Sequence, residues 1–590
     1  MALNIVNDFQ SDPLRGAVDL YQRGRLEEAE RICREAMGRQ PAPFAAAQLL
    51  GFICVRTGRA GEAIGFFERA IGIHASESTS FVGLGSALQR VGRLDEAMVA
   101  FQRALALNAN SVEALNNLGI LLEGAGKLDE AIEMYERALR VKPGLASARG
   151  NLGYALLARG DARAAIAALR EAVALQPGSA RMRSMLIFAM QFDPETTGEA
   201  QRAAQVEWGH MHAAPLEKMI KRFDNDRSPE RRLRVGYVCP EFRDHALGRY
   251  ILPLLREHDA GGFEIFCYSN TPAADEFTER FRKLAAGWRE IAELGDEAAA
   301  ELVRRDGIDI LVDLTLHMNH DRLLLFARKP APVQVTFGGY PGSTGVAAID
   351  YRLSDPYLEP DGRDWDLGPE KVVRLPHTFW CYDPLTEEPG VNALPAAAAG
   401  HVTFGCLNNP IKINGEVLKV WARVLREVAD SHILMHAAEG KHRAEMRAWF
   451  EKEGIGGERI EFASKSGRGA YLERFHRVDI SLDPFPYNGH TSSLDSMWMG
   501  VPVVTLAGKT IVGRAGESQL MNIGMPEFMA REPGEYVSKA VALARDVGRL
   551  AELRRTLRER MRASPLMDAA GFARGVEGAY RDMWRRWCDS

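Results

Sequence analysis

The first third of the chain repeats itself. Glycines stand at Gly24, Gly58, Gly92, Gly126 and Gly160, each 34 residues after the one before. Alanines keep the same register at Ala29, Ala63, Ala97, Ala131 and Ala165, and again at Ala36, Ala70, Ala104, Ala138 and Ala172. A strict period of this length means that one supersecondary unit is copied along the chain, and that no copy can bury its apolar face alone. In each copy the glycine precedes a stretch such as RLEEAERICREAM or KLDEAIEMYERAL, whose apolar residues recur at helical spacing. The unit is therefore a helical hairpin, with glycine in the turn and alanine where helices approach closely.

These hairpins resemble the tetratricopeptide repeat, with Gly51, Gly85, Gly119 and Gly153 at its first-helix glycine and Pro41, Pro143 and Pro177 ending units. Five repeats span residues 10–177. Stacked hairpins form a superhelix whose concave groove suits protein or peptide acceptors; the plainer alternative is a spacer or an oligomerisation arm, which would make a homodimer. Asn116, Asn117 and Asn151 fall on first helices, where their amides can bond a peptide backbone of any sequence.

After 177 the period fails, and residues 178–230 read as a helical linker ending in the basic stretch RSPERRLR. The pattern then changes to strand and helix. LRVGYV, FEIFCYS, IDILVDLTL and PVQVTFGGY mark a first α/β lobe over 231–390. VTFGCL, SHILMH, IEFAS, VDISLDP and VPVVTLAG mark a second over 400–565, and 566–590 reads as a C-terminal helix. The expected fold is thus an α-helical superhelix followed by two Rossmann-like lobes, with the default ligand site in the crevice at the carboxyl ends of the strands.

Composition narrows the function. Seventy-four lysines and arginines against 79 acids give a net charge of −5, so no basic excess points to nucleic acid. The seven cysteines are scattered, with no CxxC pair, which fits a reducing, cytoplasmic setting. The opening MALNIVNDFQSDP has neither a basic start nor an apolar run, and no membrane partner is expected.

Neither lobe carries GxGxxG or GxxxxGK[ST], which removes the best support for dinucleotide oxidoreduction and P-loop hydrolysis. Two other segments carry chemistry. In YNGHTSSLDSMWMG (487–500), Gly489 permits a tight turn, Ser492 can cap the next helix, and the first-turn amides suit a diphosphate. His490 and Thr491 can add donors, and Asp495 can accept from ribose hydroxyls; equally, Ser492 and Asp495 can be a mere capping box. In CLNNPIKIN (406–414), Lys412 precedes a helix starting at Asn414 and can neutralise a departing phosphate, with Asn409 bonding a sugar or phosphate oxygen. A lone lysine before a helix is otherwise simply solvated.

The order of VGYVCPEF, RKPAPVQVTFGGYPGSTG, DYRLSDPYLEP, CLNNPIKIN and LDPFPYNGHTSSLDSMWMGVPVVT behind a repeat superhelix resembles the O-GlcNAc transferase family, which includes the SPINDLY O-fucosyltransferases. The resemblance implies a GT-B fold and an inverting transfer from a nucleotide sugar, without metal or cofactor, to serine or threonine of intracellular proteins. UDP-GlcNAc is the implied co-substrate, and GDP-fucose the alternative. The family's phosphate lysine falls on Lys412, its partner three residues earlier on Asn409, its His-Thr pair on His490 and Thr491, and its ribose acid on Asp495. Nucleoside contacts fall near Arg468, Tyr471 and Arg474, where arginine and tyrosine replace the animal enzyme's lysine and histidine. The active-site histidine falls on His245, and the sugar-facing turn on Gly339, Tyr340, Pro341 and Gly342. His317 survives in DLTLHM, where bacterial relatives often read Asp-Leu-x-Gly-His-Thr, and is counted as a catalytic candidate. Asp364 and Asp366 match a metal-binding Asp-x-Asp by chance, and His317 with His320 lacks the further ligands a zinc site needs. A sugar-nucleotide epimerase and a non-enzymatic repeat scaffold are the competing classes; the first has no need of five hairpins, and the second no need to keep Lys412, His490 and Asp495 together.

Overall fold

A computed structural model describes residues 12–39, 41–361 and 368–590; Asp364 and Asp366 lie outside the described residues. The chain forms two compact units, one up to Ala155 and one from Leu156.

The first unit is a run of antiparallel helix pairs: Asp12–Gln22 with Leu26–Met37, Phe44–Arg56 with Ala60–Ile73, Ser78–Arg90 with Leu94–Leu107, and Val112–Gly124 with Leu128–Val141. The helix Ala146–Ala158 follows them. Each turn glycine sits in the left-handed region, at φ +78° for Gly24 and Gly58, +80° for Gly92 and +77° for Gly126. An L side chain there would be strained, which explains the period of that residue. Ala29, Ala63, Ala97 and Ala131 are wholly buried, so the helices touch nearly backbone to backbone. Asn151 donates to the Asn116 carbonyl oxygen at 3.0 Å, and Asn116 to that of Asn117 at 3.3 Å, forming a short amide ladder.

The second unit holds two parallel sheets. Strands β1 (Leu233–Cys239), β2 (Phe263–Ser269), β3 (Gly287–Glu290), β4 (Ile310–Asp313), β5 (Val333–Thr336), β6 (Tyr351–Ser354) and β7 (Lys371–Arg374) lie in the order 3-2-1-4-5-6-7. Strands β8 (Thr403–Cys406), β9 (His432–His436), β10 (Ile460–Ala463), β11 (Ile480–Leu482), β12 (Val503–Leu506) and β13 (Met529–Ala530) lie in the order 10-9-8-11-12-13. Both are the same doubly wound arrangement, with order reversing beside the first strand of each lobe, where loops splay and ligands enter. The central strands are buried on both faces, as their unbroken apolar runs require.

The last helix, Ala569–Cys588, returns to the first lobe. There Tyr580 and His258 flank the Tyr237 hydroxyl at 3.3 and 2.8 Å, and the other nitrogen of His258 meets Glu577 at 3.0 Å. The linker residues are equally engaged. Helix Ala180–Met190 is tied by the Trp208 indole N–H donating to the Ala180 carbonyl at 3.0 Å, and Gln205 donates to the Ser343 carbonyl at 3.0 Å. Gly345, at φ +73°, lies where an added Cβ would stand 2.2 Å from the Gln205 carbonyl oxygen. Gly345→Ala should therefore lower stability by about 2–4 kcal/mol, through overpacking and backbone strain together, seen as a reduced Tm in thermal unfolding.

Candidate active site

The carboxyl ends of β8 and β11 bring the two chemical segments of the second lobe together. After β8, Asn409 accepts the Ile411 amide at 3.2 Å, and a single turn, Pro410–Lys412, turns the lysine inward. Asn414 then caps the helix Gly415–Glu427, accepting the Glu416 and Val417 amides, as the spacing predicted. Lys412 Nζ donates to the Asn488 carbonyl at 2.7 Å and lies 4.3 Å from the centre of the Tyr487 ring. Burial pushes its pKa below the ordinary lysine range, while the nearby Asp483 carboxylate opposes that shift.

After β11, Asp483 braces the loop. Its carboxylate accepts the Gly489 amide at 2.7 Å, Ser493 Oγ at 3.0 Å and Thr505 Oγ1 at 2.7 Å. The loop leads into the helix Thr491–Trp498, whose capping residue is His490, not Ser492. Ser492 instead donates to Asn408 Oδ1, joining this loop to the one after β8, and the capping-box reading of Ser492 with Asp495 falls away. His490 is packed 5.1 Å from the Trp380 ring and 4.8 Å from Tyr487, and its Nε2 is buried without a protein partner. Burial and the Lys412 charge hold its pKa well below the ordinary value, so the ring is neutral. Thr491 is buried beside it. The Lys412 ammonium and the first-turn amides beside this neutral ring are suited to receive an anion.

The nucleoside candidates lie on the far side of that helix. Asp495 is 3% exposed, and its oxygens are already engaged: Tyr382 donates to one at 2.7 Å, and the Arg468 guanidinium spans both at 2.5 and 2.7 Å. Tyr471 packs under the guanidinium at 5.7 Å. The expectation of an acid waiting for ribose is thus refined, because a bidentate partner holds it. Arg474 Nη1, Arg468 Nε, Ser466 Oγ and His436 Nε2 are buried polar atoms with no protein partner. Ser466 and His436 were missed in the sequence, where the one signal available was the position of His436 as the last residue of a strand.

In the first lobe, His245 caps the helix Ala246–Glu257, and its Nδ1 accepts the Leu247 amide at 3.2 Å. This assigns the ring proton to Nε2; burial lowers the pKa, although 41% of the side chain remains exposed. The outward nitrogen is accordingly a donor. The turn Gly339–Gly342 packs tightly: a Cβ at Gly339 would stand 2.9 Å from the Thr315 carbonyl oxygen, and Tyr340 is buried. Pro341 and Gly342 border a cavity of about 500 Å³ shared with Gln191, Lys509 and Thr510.

His317 differs from its expected role. Ser184 Oγ lies 3.1 Å from Nδ1 and the Thr344 carbonyl 2.8 Å from Nε2, so both nitrogens are committed in a fully buried ring whose pKa falls to about 4. It joins the linker helix to the first lobe and has no free nitrogen for proton transfer. The linker side chains Ser184, Phe188 and Phe192 were not singled out as site residues, because their spacing reads as an ordinary helix. Among the described residues no group of three or more His, Cys, Asp or Glu side chains is gathered as metal ligands, and no helix is long and apolar enough to cross a membrane.

Two doubly wound lobes, each with its strand order reversing beside its first strand, place the second unit in the two-lobed α/β class. The chain belongs to glycosyl transferase family 41, whose model matches residues 198–386 and 392–576. Tetratricopeptide models match 14–78, 76–143 and 118–180. Among curated relatives, the Solanum lycopersicum protein named "Probable UDP-N-acetylglucosamine--peptide N-acetylglucosaminyltransferase SPINDLY" is 38% identical over 411 residues, covering 68% of this chain and 44% of the relative. The Arabidopsis thaliana protein of the same name ending in SEC is 29% identical over 370 residues, covering 61% of this chain and 38% of the relative. The chain therefore spans less than half the length of these relatives. A solved mutant of the Thermobaculum terrenum O-GlcNAc transferase superposes with a TM-score of 0.82 at 37% identity, covering 87% of this chain and 98% of that one.

His317→Ala should remove two buried hydrogen bonds and cost about 1–3 kcal/mol of stability. Nucleotide binding measured by calorimetry should stay near the wild-type value. A large loss of nucleotide affinity in a folded variant would return His317 to the site.

Proposed function

We propose that this chain transfers a sugar from a nucleotide-sugar donor to serine or threonine hydroxyls of polypeptide acceptors, with UDP-GlcNAc as the donor. The observation that carries this is the convergence of Lys412, the unpartnered His490 Nε2 and the first amides of the helix Thr491–Trp498 on one anion site, in a chain of family 41. The acceptor hydroxyl attacks the anomeric carbon as the bond to the diphosphate oxygen breaks, and the hydroxyl proton passes to the diphosphate or to water. Charge grows on the leaving oxygen, and a buried ammonium and preorganised donors stabilise it by a few kcal/mol each. His245, with its proton on Nε2, donates to the sugar or phosphate instead of accepting the hydroxyl proton. The donor set already supplies positive potential where a metal would otherwise act, so EDTA should leave turnover unchanged. The repeats are proposed to hold extended acceptor chain, raising its local concentration.

GDP-fucose is the second reading, favoured by the higher identity to SPINDLY-named relatives than to SEC. Calorimetry with UDP and GDP separates the two: tighter UDP binding is expected, and preference for GDP would overturn the donor assignment. Measurable binding of neither would favour the scaffold.

Lys412→Ala should lower kcat by about a hundredfold while changing UDP affinity much less, because the lysine's contact strengthens as the diphosphate departs. The sign of its pH dependence follows from its lowered pKa. The charged form is present below that pKa and lost as pH rises through it, so kcat/KM should fall on the alkaline side well below the ordinary lysine value of 10.5. A profile flat up to that value would remove the lysine from the mechanism.

A further inference from the structure

Phe192 follows the helix Ala180–Met190 and lies flat on Tyr487, with ring centres 4.8 Å apart and planes 7° from parallel. The Tyr487 ring is the one that supports the Lys412 ammonium and stands beside His490. Phe188, one turn earlier, meets Phe192 edge-on at 5.1 Å and Tyr340 at 5.9 Å. A line of rings thus runs from the sugar-facing turn to the leaving-group lysine.

The ground on which Phe192 stands is stiff. Gln201 donates to the Met190 carbonyl at 3.3 Å, and the Asp193 carboxylate accepts the Glu195 amide at 3.3 Å and Thr196 Oγ1 at 2.8 Å. Phe192 and Tyr487 are both buried. The face of Phe192 thus covers the ring that carries a cation.

We infer that Phe192 is a positioning residue for the transfer reaction, clamping Tyr487 so that the Lys412 ammonium stays dry and aimed at the departing diphosphate. This rests on the glycosyltransferase reading above. The groups facing Lys412 are the Asp483 carboxylate, the Cys406 thiol, the His490 imidazole, the Asn488 carbonyl and the Tyr487 ring. Among the influences on its charge, burial is the largest and disfavours the ammonium. Loss of the Phe192 ring admits water over Tyr487, which relieves that burial and moves the lysine back toward its ordinary titration range. The same water weakens the field that the charge exerts on the leaving oxygen.

The test uses the full chain with Phe192→Ala, and Phe192→Leu as a variant that keeps apolar volume without a flat face. The isotope-labelled Lys412 Cε shift, assigned by its loss in Lys412→Ala, is titrated without donor; nucleotide-sugar hydrolysis gives kcat and KM across pH. Expected are an upward move of the Lys412 midpoint and a kcat lower by about tenfold in Phe192→Ala, with UDP affinity within about threefold, and the same directions at smaller size in Phe192→Leu. An unchanged midpoint in Phe192→Leu overturns the clamp, as does a kcat loss with no movement of the midpoint. The titration needs no turnover. A moved midpoint in a protein that hydrolyses no nucleotide sugar would sustain the clamp and sink the proposed activity separately.

Discussion

The Asp483 carboxylate organises everything chemical in the second lobe. It leaves β11 into a fully buried position, where three donors, the Gly489 amide, Ser493 Oγ and Thr505 Oγ1, satisfy it. The Tyr536 hydroxyl closes on its backbone carbonyl at 3.0 Å. Burial still raises its pKa, and Lys412 is the cation that offsets this. Each of these buried charges would be costly alone in such a place, and the loops after β8 and β11 are held in register by Lys412 on the Asn488 carbonyl and Ser492 on Asn408.

The same economy of partners explains the nucleoside side. An arginine at position 468 reaches both oxygens of Asp495, a geometry that a lysine cannot reproduce. Tyr382 fixes one of the acid's oxygens. Arg474 Nη1 and His436 Nε2, buried in the same lobe, are left without a protein partner.

Much of this was legible in the sequence because period and spacing report backbone geometry directly. The 34-residue glycine needs a left-handed turn, and the turns at Gly24, Gly58, Gly92 and Gly126 adopt it. Lys412 before an Asn414 cap and His490 before a short helix are local facts, and local facts survive folding. The failures are all long-range. His317 carries no mark in DLTLHM that Ser184, far earlier in the chain, will bond one nitrogen and Thr344 the other. Ser492 looks like a cap until Asn408 draws its hydroxyl sideways. That Arg468 and Asp495 pair with each other is likewise visible only in the fold.

That pairing has an electrostatic consequence for how the site fills. Before a nucleotide arrives, the second lobe holds Lys412 within the influence of the Asp483 carboxylate, the buried ion pair of Arg468 with Asp495, and a neutral His490 whose ionisation burial and Lys412 suppress. On the proposed function, a diphosphate entering beside Lys412 would favour its charged form and offset the burial that disfavours it, so binding would take up a proton wherever the free lysine is partly neutral. His490 would feel the same anion but starts from a far lower pKa, and its ring stays neutral. The site therefore uses one group that responds to the leaving charge and one that does not, and burial of both beneath the aromatic wall of Tyr487 and Trp380 keeps their roles distinct.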